Sequence, residues 1–220
     1  MAPQVDDERA GLRDLPHRRG QRVAREALAS AMRKVADTRA LIIDLRRHRG
    51  GSPDTVAFAS SYLFGDTPVH LNSIYRRTDD STADFHTDPG VPGPRFGPDK
   101  PVFVLTGAPT FSAGEEFAYD LQTQKRATLI GETTGGGANP GAVHPLPLGL
   151  TIFVSNGRAI NPVTGTNWEG VGVKPEIAVP VAEAFAVAYR KALEGIDLSR
   201  LPDADRARAE ELLKNPPVPQ

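Results

Sequence analysis

Three stretches of the chain set polar or charged side chains beside glycine in patterns that chemistry can use. The first is Leu41-Ile42-Ile43-Asp44-Leu45, running through Arg46-Arg47-His48-Arg49 into Gly50-Gly51. A strand that ends in a Gly-Gly turn turns backbone N–H groups toward a pocket with no Cβ in the way, which is what an oxyanion needs. A plain strand-to-helix turn reads the same way. The second runs from Thr106 to Glu116 and holds Ser112 between a strand and a helix. The helix dipole and the free N–H groups of its first turn favour an anion there, and Ala113 N–H can donate to an attacked carbonyl. Ser112 with Glu115 also fits the capping box S-x-x-E, so a cap and a nucleophile both stand as readings. The third is Asn161 to Glu176, with the sole tryptophan, Trp168, and Glu169 in a glycine-rich turn. Taken alone it is a loop with a solvated carboxylate.

Other chemistries lack their residues. The segment 131–137 has no following Lys-Ser/Thr, and neither G-x-G-x-x-G nor G-x-S-x-G occurs. The five histidines show no metal-ligand spacing, and no cysteine is present, so thiolate nucleophiles, disulfides and Cys-based metal sites are excluded. No metal and no cofactor are expected. A formal net charge of −1 gives no general attraction to nucleic acid or anionic membrane. No apolar run is long enough to span a bilayer. The acidic start, Val5-Asp6-Asp7-Glu8, is not a signal peptide. The chain as written is therefore expected in the cytoplasm, or exported if a signal segment lies upstream.

The elements that must position these residues follow from pattern. Residues 1–20 are rich in charge, Pro and Gly and are expected to be a poorly ordered lead-in. Val23, Ala27, Leu28, Ala31, Met32 and Val35 recur at helical spacing over 21–37. The apolar run 40–45 predicts a strand buried on both faces, and helix is expected over 54–64. A strand is expected over 69–75, then a long surface loop over 78–100. Further strands are expected at 102–106, 128–131 and 150–155, and helices at 112–124 and 182–193. A charged helical tail closes the chain. This order implies an α/β domain with a largely parallel sheet, divided as 1–20 lead-in, 21–195 core and 196–220 tail.

Taken in order, the runs ALIIDLRRHRGGSP, TFSAGEEFAYDLQTQKRATLIGETTGGGANPG and AINPVTGTNWEGVGVKPE resemble the tail-specific, or carboxy-terminal processing, serine protease family. The similarity is greatest to its retinoid-binding-protein-like and tricorn-core-like branch. The resemblance implies a crotonase-like spiral of ββα units. It further implies peptide or protein substrates, Ser112 as nucleophile and an oxyanion hole from the Gly51 and Ala113 N–H groups. The lysine that some members use is absent from 133–138, so the implied arrangement pairs serine with histidine and with Glu169. Relatives carry that histidine well upstream of the 40–45 strand. The chain shows no matching segment there, so the general base is expected to be missing, with His17 or His48 as the substitutes to consider. A non-catalytic lipid- or peptide-binding module of the same fold is the alternative, and an acyl-CoA enzyme of the same fold class a third.

Overall fold

A computed structural model describes residues 8–214 and residue 216, with the backbone alone at 8–19 and 21. In chain order the elements are α1 (Glu8–Val35), β1 (Leu41–Asp44), α2 (Pro53–Ser61), β2 (His70–Arg76), β3 (Ser81–His86), β4 (Val102–Thr106), α3 (Ala113–Thr123) and β5 (Thr128–Gly131). They continue with β6 (Gly141–Pro145), β7 (Thr151–Ser155), β8 (Gly157–Ile160), β9 (Ile177–Ala178), α4 (Ala184–Glu194) and α5 (Asp203–Lys214).

Strand β4 is apolar at four of its five positions and wholly buried, because it lies inside a parallel sheet ordered β1-β4-β5-β9. Its side chains alternate between two cores, as strand geometry demands. Val102 and Val104 join Phe117, Leu121 and Leu63 under α2 and α3, whereas Phe103 and Leu105 join Ala184 and Ala188 of α4. Antiparallel strands β3-β2-β8 form a second sheet, and β6-β7 a separate hairpin.

Four expectations change. Strand β1 is an edge strand and only half-buried, since β4 pairs with it on one side alone. The presumed loop at 78–100 contains β3, whose alternation is limited to Ala83 and Phe85 because its side chains are mostly exposed. Helix α1 begins at Glu8, well before position 21. Of the presumed lead-in, residues 1–7 lie outside the described residues and the rest, from Glu8 to Gly20, is helical. Strands β6, β8 and β9 are additional. No described helix is long and apolar enough to cross a membrane.

Candidate active site

The turn between β4 and α3 is stitched to the end of β1 from both sides. Thr110, fully buried, donates its hydroxyl to Leu45 O at 2.8 Å and accepts Gly107 N–H at 3.0 Å. Phe111 N–H donates to His48 O at 2.9 Å. These bonds bring the Gly50-Gly51 turn against Ser112. A Cβ placed on Gly50 would lie 3.1 Å from Ser112 Cβ and 3.4 Å from its Oγ, and Gly50 has φ +128°. Glycine is required there by both conformation and space. Gly51 N is two bonds from Gly50 Cα, so it lies within roughly 7 Å of the Ser112 hydroxyl.

Ser112 itself sits at φ 53° and ψ −123°, immediately before α3. A non-glycine residue in such a conformation is strained and persists only when its surroundings hold it. Here the holder is Glu115. Its side chain is fully buried and takes Ser112 N–H at 2.8 Å on Oε2. The same carboxylate takes Gly137 N–H at 2.9 Å, Gly136 N–H at 2.6 Å and the Thr134 hydroxyl at 2.5 Å. It thus ties the serine turn to the glycine-rich segment that follows β5. Ala113 N–H opens the helix. Neither it nor Gly51 N–H has a hydrogen-bond partner among the described residues.

Glu169 lies against the end of the glycine-rich segment. Its Oε2 accepts Ala138 N–H at 2.7 Å and Asn139 N–H at 2.8 Å, and the residue is exposed. Glu169 is therefore joined to the serine turn through residues 136–139 and not by direct contact. His48 lies beside α3: a Cβ on Gly114 would come 2.7 Å from its Nδ1, which accepts Gly50 N–H at 3.4 Å. The side chain of His17 lies outside the described residues. His70 and His86 stack on one another at 4.5 Å, away in the antiparallel sheet. Beside β1, an apolar cavity of about 650 Å³ is lined by Leu28, Met32, Ile43, Val56, Leu63 and Phe117, and also by Gly50, Gly51 and Ala113. Asp44, at the end of β1, is held below the usual carboxylate range by the Arg46 side chain, which bonds both its oxygens at 2.9 and 2.7 Å.

The role of Glu115 as a hub is what the sequence left unseen. Its one signal was the S-x-x-E spacing, which accounts for the bond to Ser112 but not for those to Thr134, Gly136 and Gly137. No described group of three or more His, Cys, Asp or Glu side chains could hold a metal ion.

Known proteins resemble this chain in sequence and fold. The chain is 28% identical over 151 residues to the carboxy-terminal-processing protease of Bartonella bacilliformis, covering 66% of this chain and 32% of that one. It is 30% identical over 165 residues to carboxyl-terminal-processing peptidase 2 of the Arabidopsis thaliana chloroplast, covering 69% and 29%. The chain thus spans about a third of the length of these curated relatives. Among solved structures, the photosystem II D1 C-terminal processing protease superposes with a TM-score of 0.57 at 23% identity, over 72% of this chain and 39% of that one. Mature CPAF complexed with lactacystin superposes at 0.59 and 18% identity, over 87% and 48%. The family model described as peptidase family S41 matches residues 17–179. That match takes in the Gly50-Gly51 turn, Ser112 and Glu169 together, and the chain belongs to peptidase family S41.

Proposed function

We propose that this chain is the core of a serine peptidase in which Ser112 attacks the peptide carbonyl and the Gly51 and Ala113 N–H groups receive the oxyanion. One observation carries the reading: a serine held at positive φ close to two backbone N–H groups that have no other partner among the described residues. Donors aimed at a developing oxyanion typically supply the largest single part of such catalysis. Glu169 is assigned to orient and charge-balance an imidazole, and its grip on Ala138 and Asn139 ties it to the glycine-rich segment that Glu115 fastens to the serine turn.

The imidazole is assigned to a segment outside these 220 residues, so the chain alone is weakly active or inactive. A positioned base contributes about 10²–10⁴-fold. The substrates are peptides or proteins, cleaved near C-termini or as short oligopeptides. The parallel sheet with β3-β2-β8 beside it supports a crotonase-like spiral of ββα units. Residues 21–195 are taken as the core, with 1–20 a lead-in and 196–220 a tail. The reading includes no nucleic-acid partner, and export if a signal segment lies upstream.

A fluorophosphonate probe tests this. Labelling that is weak in the chain alone, rises when the upstream family segment is joined and disappears in Ser112→Ala is the expected result, and equal labelling with and without Ser112 removes it from its role. Joining the upstream family segment should raise peptidase activity; robust activity without it, lost in His48→Ala, would place the base within the chain. The apolar cavity beside Gly51 and Ala113 favours a second reading, a non-catalytic lipid- or peptide-binding module. Tight binding of a fluorescent fatty acid with no probe labelling would select it.

A further inference from the structure

Helix α3 also buries two carboxyl groups that the proposed chemistry does not use. Glu116 and Asp120 stand four residues apart, on one face of the helix, and are 4% and 0% exposed. Glu116 Oε1 accepts from Asn72 Nδ2 of β2 at 3.1 Å, and Asp120 Oδ1 accepts from Asn161 Nδ2 at 3.2 Å. Asn161 Nδ2 is shared with Thr123 Oγ1 and Leu71 O. Asp120 Oδ2 and Asn72 Oδ1, both on fully buried side chains, have no partner among the described residues. If both carboxyls are ionised, the cluster holds an excess of acceptors over donors. A carboxyl proton turns one acceptor into a donor, which is the group the cluster lacks.

The surrounding elements supply no compensating cation. Helix α2 brings Asp54, a like charge, and β5 carries no titratable residue. His70 of β2 is engaged with Ser73 and lies 3.7 Å from Asp84 of β3. No Arg, Lys or His among the described residues bonds either carboxyl.

We infer that Glu116 and Asp120 are positioning residues that hold protons in the folded protein, so that ionising the pair loosens α3 and with it the setting of Ser112. Burial pushes Glu116 up to about 7, and burial together with Glu116 pushes Asp120 well above its ordinary value. Both shifts are upward, so the fold binds protons that the unfolded chain releases. The stabilisation is complete below the ordinary carboxyl range and declines as pH rises through about 7 for Glu116. The part concerning Ser112 rests on the serine-peptidase reading; the proton-holding part does not.

The experiment is urea unfolding of the full chain across roughly pH 5 to 8, with Glu116→Gln alongside. One retained proton makes the folding constant fall about tenfold per pH unit between the unfolded and folded pKa values. The wild type should show that fall relative to Glu116→Gln, and parallel pH profiles for the two proteins overturn the proposal. Should Glu116→Gln fail to fold, carboxyl-carbon NMR titration of the wild type decides: a Glu116 already ionised near pH 5.5 overturns it. Fluorophosphonate labelling should be retained at alkaline pH better by the variant than by the wild type. Labelling ratios that do not differ sever the link to Ser112. Absence of labelling in both proteins at every pH, also with the upstream family segment joined and the unfolding difference intact, overturns the peptidase reading and leaves the proton-holding pair standing.

Discussion

Glu115 joins two parts of the chain that its local sequence cannot connect. Its carboxylate has four donors, Ser112 N–H, Thr134 Oγ1, Gly136 N–H and Gly137 N–H, and no exposure to water. Glu115→Gln turns one acceptor oxygen into an NH₂ that faces N–H groups, leaving buried donors unpaired. Hydrogen bonds to a charged group contribute about 1.5–3 kcal/mol each. The variant should therefore lose about 2–3 kcal/mol in urea unfolding and most of its probe labelling, and an unchanged midpoint would reduce Glu115 to an ordinary cap. The S-x-x-E spacing made the Ser112 contact legible, since a cap is a local event. The other three donors were not legible, because they arrive from a segment whose path over α3 is set by the register of β5 against β4.

That segment is the element on which the candidate site turns. Residues 135–137 pass so close to Phe111 that a Cβ on Gly137 would lie 2.1 Å from its ring. The glycines therefore serve close approach of the chain to the serine turn, and no phosphate is needed to explain them. Glu169 fastens the end of the segment through Ala138 and Asn139. In Glu169→Ala, the amides of Ala138 and Asn139 should exchange hydrogen about tenfold faster while the β4 amides are unaffected, since each loses a charge-assisted bond of roughly 1.5 kcal/mol. Equal protection would detach Glu169 from this loop. Strand β3 shows the opposite limit on reading an element. Its residues are mostly polar and mostly exposed, and pairing with β2, from His70↔His86 to Arg76↔Ser81, makes it a strand.

Over the whole molecule, apolar surface is unevenly spread. Val143, Leu146, Leu148, Leu150, Ile152, Phe153 and Val154 are exposed on the β6-β7 hairpin, whose strands pair only with each other among the described residues. The core lies elsewhere, between the parallel sheet and the helices on its two faces. Substituting Val143→Glu and Ile152→Lys should therefore change folding stability by no more than about 0.5 kcal/mol each; a larger loss in urea unfolding would mean that the hairpin packs on the body. The sequence by itself determined the α/β class, the strands at 102–106 and 128–131, the helix opening at Ser112, the three site-bearing segments and, through their joint resemblance, the family. Each of these depends on local periodicity, on glycine at turns or on residue identity, which a linear chain carries in full. Tertiary structure alone decided that β1 is an edge strand beside an apolar cavity and that Gly50 abuts Ser112 while Glu169 reaches it only through residues 136–139. It also decided that Glu115, Glu116 and Asp120 are buried. Those facts depend on strand order and on the crossing of segments distant in sequence, where a carboxylate's surroundings come from chain that no local window contains.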